Sequence, residues 1–287
     1  MKRELLERVG ILLLKEGYTI KSLTQTCFDI LARSNERILL IKILEDANSL
    51  TNEYASAMSR LAGYVQGSPL IIAEKAGSLL QDGVVYSRFG IFCVTINTFK
   101  HCLQNRFPII FRDQSGLTAF IKGKDLREIR EKEGYSLSLL SKKIGVSKRM
   151  IQQYENQESK ITIAKAIKMR SIFGDKIFDK LDVFSKRQQS EEEPKSDLTR
   201  KYGELGFKAI ETKKVPFDII AKMDRELILT EVGDKPRPGL EPISQMLGAD
   251  RLVIYKKNKP KKIPGLKKKE FLEFDKAYEL VQFLKEY

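Results

Sequence analysis

SLSLLSKKIGVSKRMIQQYE, residues 136–155, decides the reading of this chain. Ser136 is a natural N-cap, and Leu140 and Ile144 share one face of the short helix it would start. Ser141 is small where a second helix must come close. Gly145 supplies the left-handed residue that ends the first helix and turns the chain. Val146 plugs that turn. Ser147 can cap a second helix whose inward positions are Ile151 and Tyr154, three apart. Lys148, Arg149, Met150, Gln152 and Gln153 then project from or flank the outer face. Such a face suits a DNA major groove, since Lys and Arg meet phosphates or guanine and Gln pairs with adenine. The stretch predicts a helix-turn-helix.

The flanks extend it. KDLREIREKE, residues 124–133, places Leu126, Ile129 and Arg130 at helical spacing and predicts a packing helix upstream. TIAKAIKMRSIF, residues 162–173, puts Ile163, Ala166, Ile167 and Ile172 on one face, which Ile177, Phe178, Leu181 and Phe184 continue. The run LREIREKEGYSLSLLSKKIGVSKRMIQQYEN resembles the DNA-binding domain of lambdoid phage repressors and the wider Cro/repressor family. That resemblance implies a five-helix domain over residues 124–185. It also implies that Lys148, Arg149, Met150 and Gln153 read bases. The family usually carries Gln at the start of the first motif helix, bracing a phosphate; here that place is Leu137, and the usual Ala of the helix is Ser141. The candidate DNA-binding set is Ser136, Ser147, Lys148, Arg149, Met150, Gln152 and Gln153.

Composition is compatible with a polyanionic partner. The 287 residues hold 52 Lys and Arg against 38 Asp and Glu, a net charge of +14 that favours nucleic acid electrostatically. The length predicts two or three domains. No apolar run approaches the roughly 18 residues that a membrane span needs, and residues 1–10 are charged rather than leader-like. Cys27, Cys93 and Cys102 are odd in number and lack metal-ligand spacing, which predicts plain thiols rather than disulfides or zinc ligands. These features predict a soluble, cytoplasmic protein with no membrane association, no metal and no cofactor.

An internal repeat flanks the motif. CFDILARSNERILLIKIL, residues 27–44, aligns without a gap on PFDIIAKMDRELILTEVG, residues 216–233. Each predicts a β-hairpin turning at a polar stretch, 33–37 or 222–226. Helical patterns at 5–18 and 198–207 precede them and end in a glycine followed by an aromatic. Helices at 52–65 and 242–248 and short buried strands at 69–73 and 251–255 follow, and a final helix is predicted at 276–286. The order predicts one α/β domain present twice, at 1–106 and 198–287. Residues 107–123, with Pro108, Gly116 and Gly123, read as a linker into a helix-turn-helix domain at 124–185, and the polar stretch 186–197 reads as a hinge.

The helix–hairpin–helix order with an Asp closing the first strand resembles the restriction-endonuclease and junction-resolvase superfamily. That resemblance implies Mg²⁺ held by an Asp and by an acid-x-Lys pair on the next strand. Asp29 and Lys42 fit in the first copy, with Leu40 at the acid position; Asp218 and Glu231 fit in the second, with Gly233 at the lysine position. Each copy lacks one member, which predicts no catalysis. His101 beside Cys102 is no dyad, because a dyad needs residues converging from separate elements. No phosphate-cradling glycine loop is present. The basic run 256–269 reads as a loop; its first reading is a solvated surface, and the second is that Lys256, Lys257, Lys261 and Lys262 contact phosphates.

The expected architecture is thus α/β plus all-α, a repressor-like helix-turn-helix domain between two similar endonuclease-like domains. The whole arrangement resembles helix-turn-helix regulators of archaea. That resemblance implies a sequence-specific transcriptional regulator that binds double-stranded DNA as a homodimer, with any effector ligand unnamed. The alternatives are a structure-selective DNA nuclease or repair factor, and an adaptor whose main partner is another protein.

Overall fold

Helix α1 (Lys2–Lys15) forms because Leu5, Val9 and Leu13 fall on one buried face, and it stops at Gly17, whose φ of 78° is left-handed. Strands β1 (Thr19–Ser22), β2 (Ile30–Arg33) and β3 (Ile38–Asp46), helix α2 (Asn52–Tyr64) and strand β4 (Ser68–Ala76) follow. The chain continues through β5 (Ser78–Leu79), β6 (Val84–Arg88), β7 (Ile91–Val94), α3 (Ile96–Leu103), β8 (Ile110–Asp113) and β9 (Gly116–Ala119). Then come α4 (Gly123–Lys132), α5 (Leu137–Ile144), α6 (Lys148–Glu155), β10 (Ile161–Thr162) and α7 (Ile163–Phe173). The last third holds α8 (Asp197–Glu204), β11 (Lys208–Glu211), β12 (Ile219–Met223), β13 (Glu226–Val232), α9 (Leu240–Leu247), β14 (Asp250–Tyr255), β15 (Gly265–Lys267), α10 (Lys268–Leu272) and α11 (Ala277–Lys285). The computed structural model describes residues 2–23, 25–113, 116–188, 194–234 and 237–286. It separates into one unit of Met1–Ile71 with Phe184–Tyr287 and another of Ile72–Val183.

In the first unit the repeat is exact in register. Thr19 pairs with Arg33 and Ile30 with Ile41; at a constant offset of 189 residues, Lys208 pairs with Lys222 and Ile219 with Thr230. Even the loop bonds repeat: Tyr18 N–H donates to Leu13 O at 3.0 Å and Phe207 N–H to Tyr202 O at 2.9 Å. Both copies therefore begin with helix and three antiparallel strands, one strand more than the hairpin expected. β1 and β11 escape the sequence pattern because they are short and β1 is largely exposed. β13 and β14 pair parallel, as a crossover through α9 requires.

The two copies pack on each other reciprocally within this unit. α2 lies on β12, and α9 lies on β1 and β2. Arg33 of β2 donates to Met246 O at the end of α9, while its repeat counterpart Lys222 of β12 donates to Tyr64 O, the last residue of α2, at 3.1 Å. Matching contacts exchanged by matching residues define a pseudo-twofold pair. The symmetry breaks at Cys27, whose N–H donates to Lys214 O at 2.7 Å, because its counterpart Pro216 has no N–H to return.

The second unit, Ile72–Val183, crosses the boundaries expected at residues 106 and 123. Its strands run β7-β6-β8-β9-β10, with β6 and β8 parallel through Val84 and Ile110. The boundary expected at residue 106 falls inside this unit, which holds residues 72–106 together with the helix-turn-helix. Residues 107–123 are not a linker either: β8 and β9 form a hairpin, and β9 supplies Ala119 to the motif's core. The expected fifth helix is absent between Gly174 and Phe184. Gly174 ends α7 at φ 73°, and after a 3₁₀ turn at Asp175–Ile177 the chain bonds back along the hairpin. Asp179 N–H donates to Phe120 O at 3.0 Å and Leu181 N–H to Pro108 O at 2.8 Å, so these groups have partners that a helix would otherwise provide. Part of the expected hinge, residues 189–193, lies outside the described residues; before it, Arg187 N–H donates to Gly67 O at 3.1 Å.

Candidate nucleic-acid interface

The motif's caps are where the sequence put them. Ser136 Oγ accepts from Leu139 N–H and Ser147 Oγ from Met150 N–H, each at 3.1 Å, and Gly145 closes α5 at φ 76°. Each serine keeps its hydroxyl proton as a donor for an incoming acceptor. Leu140, Ile144, Ile151 and Tyr154 are buried in one cluster with Leu126, Ala166, Met169 and Phe173. On α7 the inward side differs from the expectation: Met169 is fully buried, whereas Ile167 is 61% exposed.

Burying Ile151 and Tyr154 turns the opposite side of α6 outward. Lys148, Arg149 and Gln152 are exposed, and Gln153 is half-buried beside them. Arg149, Gln152 and Gln153 are three and four apart, so they share a face. Met150 is half-buried and packs against the core, which ties it to the scaffold more than to that face. Lys142 and Lys143 are exposed in the last turn of α5, adding positive charge to the same short motif.

What fixes α6 was not read from the sequence. Glu155, at its C-terminal end, is 7% exposed and takes a two-pronged contact from Arg130 of α4, Nε to Oε1 and Nη2 to Oε2 at 3.3 Å. Arg127 Nε donates to the same Oε2 at 3.2 Å, and Arg130 Nη1 also donates to Tyr135 O at 3.0 Å. The hydrogen bond to Glu155 raises the Arg130 pKa. The visible signal was a charged residue on the inner face of each helix. At the other end of this contact Gly123 lets the backbones touch: a Cβ there would lie 2.0 Å from Glu155 O.

The second basic set lies in the other unit. Lys256, Lys257, Lys261 and Lys262 are all exposed on the loop between β14 and β15. Asp234 organises its start, its Oδ1 accepting from Lys256 N–H at 2.8 Å, Lys257 N–H at 2.9 Å and Asn258 N–H at 3.2 Å, which lowers its pKa.

The endonuclease-like centres are built differently from the sequence reading. Asp29 Oδ2 accepts Ile43 N–H at 2.8 Å and Asp218 Oδ2 accepts Val232 N–H at 2.7 Å, which fixes equivalence across the repeat. Lys42 therefore occupies the position of Glu231, the acid position, and is not the lysine of an acid-x-Lys pair. Leu44 stands where Gly233 does, so the first copy has neither acid nor lysine of the motif. In the second copy Arg237, unnoticed in the sequence, bridges Asp218 and Glu231. Burial raises the Glu231 pKa, and the bond to Asp218 raises that of Arg237. Among the described residues no group of three or more His, Cys, Asp and Glu side chains is arranged to hold a metal ion. Cys27, Cys93 and Cys102 are free and buried, and His101 is exposed beside Cys102.

Among the described residues no helix is long and apolar enough to cross a membrane. A model described as the PD-(D/E)XK superfamily domain matches residues 2–109, and one described as a helix-turn-helix matches residues 126–176. A Thermococcus kodakarensis protein named "Putative HTH-type transcriptional regulatory protein" is 31% identical, over 99% of this chain and 96% of its own. Relatives bearing the same name come from Pyrococcus horikoshii, 30% identical over 91% of this chain and 89% of theirs, and from Methanocaldococcus jannaschii, 29% identical over 92% and 90%. No solved structure matches the chain.

Proposed function

The chain belongs to this family of archaeal HTH-type regulatory proteins, and on that premise we propose that it is a sequence-specific transcriptional regulator that lays α6 in the major groove of duplex DNA. The observation that carries the reading is the capped, core-anchored α6 with Lys148, Arg149 and Gln152 exposed together. Arg149 and Gln153 have the chemistry for base edges, and Lys148, Ser136 and Ser147 for phosphates. Lys256, Lys257, Lys261 and Lys262 are proposed as auxiliary phosphate contacts. One such motif is too small to single out a genomic site, so the protein acts as a homodimer on half-sites about 34 Å apart. The faces of α2 and α9 that pack on the neighbouring copy are already occupied within the chain. Dimerisation through the α/β repeats therefore uses another surface. The test is selection of duplexes from a random library by the full-length protein. A paired, inverted consensus is expected; recovery of unrelated sequences would overturn the reading.

A second reading, a DNA nuclease or repair factor, draws on the PD-(D/E)XK match over residues 2–109. We place the chain outside the enzymes because Lys42 fills an acid position and Arg237 spans the Asp218–Glu231 pair. Cleavage of duplex, flap or junction DNA with Mg²⁺ or Mn²⁺ that disappears in Asp218→Ala would favour the nuclease instead.

A further inference from the structure

The superfamily resemblance implies a divalent ion between the strand-end Asp and the acid one strand on. Neither repeat offers that ion a place. In the second copy the guanidinium of Arg237 touches both carboxylates: Nη2 contacts Asp218 Oδ2, and Nε lies 3.5 Å from Glu231 Oε1. Its own backbone N–H donates to Glu231 Oε1 at 2.8 Å, so the segment as well as the side chain is fastened there. Among the described residues Glu231 Oε2 is buried and without a hydrogen-bond partner. In the first copy the cation comes from elsewhere. Lys42 stands in the acid's position with its ammonium 3.4 Å from Asp29 Oδ1, and Lys2 of α1 reaches the same oxygen at 3.1 Å. Lys42 is held there by Thr26 O at 3.0 Å. One carboxylate facing two ammonium groups repels a further cation.

We infer that the protein's own cations have taken the metal's place in both repeats: Arg237 between Asp218 and Glu231, and the Lys42–Lys2 pair on Asp29. Each repeat keeps the Asp because that side chain ties two strands, accepting the N–H of Ile43 or Val232. A buried carboxylate needs a counter-charge whether or not chemistry is performed. A guanidinium supplies it permanently, without the cost of dehydrating Mg²⁺. The centres are thus cation-bridged staples of the pseudo-twofold unit. This rests on the non-catalytic half of the proposed function and not on DNA recognition.

The test titrates full-length protein with Mn²⁺, following the free-ion electron paramagnetic resonance signal, in the absence of DNA. Wild type is expected to show no saturable binding up to about 1 mM ion. Arg237→Ala, and Arg237→Gln as the less disruptive variant, free two adjacent carboxylates and should each take up about one Mn²⁺ per chain, lost again when Asp218→Asn is added. Thermal unfolding gives a second readout: wild type is unmoved by chelator or Mn²⁺, whereas the melting point of Arg237→Ala falls and Mn²⁺ raises it again. Stoichiometric Mn²⁺ on wild type that disappears in Asp218→Asn would overturn the inference, even if no Arg237 variant folds. So would folded Arg237→Ala and Arg237→Gln that both ignore Mn²⁺. Because no DNA is present, failure of the operator reading leaves this result unaffected.

Discussion

Glu155→Ala is expected to loosen α6 without altering any side chain proposed to face DNA. The Glu155 side chain is 3% exposed and that of Arg130 9%, so water does not replace what either loses. Removing the carboxylate leaves Arg130 with Tyr135 O and with Glu131, whose side chain is 62% exposed and a weak substitute. Breaking a buried pair from one side costs about 3–5 kcal/mol. At about 1.4 kcal/mol per tenfold, amide exchange in α4 and α6 should accelerate by roughly two to three and a half orders of magnitude. Hydrogen-exchange mass spectrometry on the full chain suits this, because two units need not unfold in one transition. Arg130→Met combined with Glu155→Leu removes both charges and fills the space, so it should recover most of the protection. Acceleration below tenfold in Glu155→Ala, or a double variant as unprotected as the single, would refute the clamp.

Gly123→Ala should destabilise the helix-turn-helix by about 1–3 kcal/mol, as forced overpacking does, because the clashing partner is the Glu155 carbonyl rather than a side chain that can turn aside; unchanged exchange in α6 would count against the contact. The three thiols are buried, which pushes the pKa of each up to about 12, so none should react with a disulfide reagent in the folded protein at neutral pH, and all three should react in denaturant. Raised folded-state values also mean that their share of stability is complete below the ordinary thiol pKa near 9.0 and is lost as pH rises toward about 12, so alkaline unfolding titrations should steepen across that window. Lys222→Ala and Arg33→Ala remove equivalent bonds across the pseudo-twofold pair and should each cost about 0.5–1.5 kcal/mol in the first unit; a difference in sign between them would break the equivalence.

The helix-turn-helix was legible because its signals are local. Ser136, Gly145 and Ser147 act within one turn of themselves, and Ile151 with Tyr154 needs only helical spacing. The repeat was legible for the same reason: Phe28, Asp29 and Ile30 recur as Phe217, Asp218 and Ile219. What escaped depends on partners far along the chain. The β8–β9 hairpin looked like a linker because its glycine and proline signal a turn, while its pairing with β6 and β10 is set by tertiary contact. The same hairpin draws off the segment expected as a fifth helix. Motif spacing alone puts Lys42 at a lysine position, whereas the strand bonds of Asp29 and Asp218 align it with Glu231. Arg237 carried no signal at all, since its role exists only where its segment folds back on two carboxylates.

Arg149→Ala separates the proposed reading of bases by α6 from mere contact with the DNA backbone. The measurement is affinity for a selected duplex and for a random duplex of equal length, at one fixed salt concentration. Losing a bidentate base contact should cost about 1–3 kcal/mol on the selected duplex, a loss of roughly five- to 150-fold, and little on the random one. Equal losses on both duplexes would show that Arg149 meets only the backbone, and no loss on either would remove α6 from the interface.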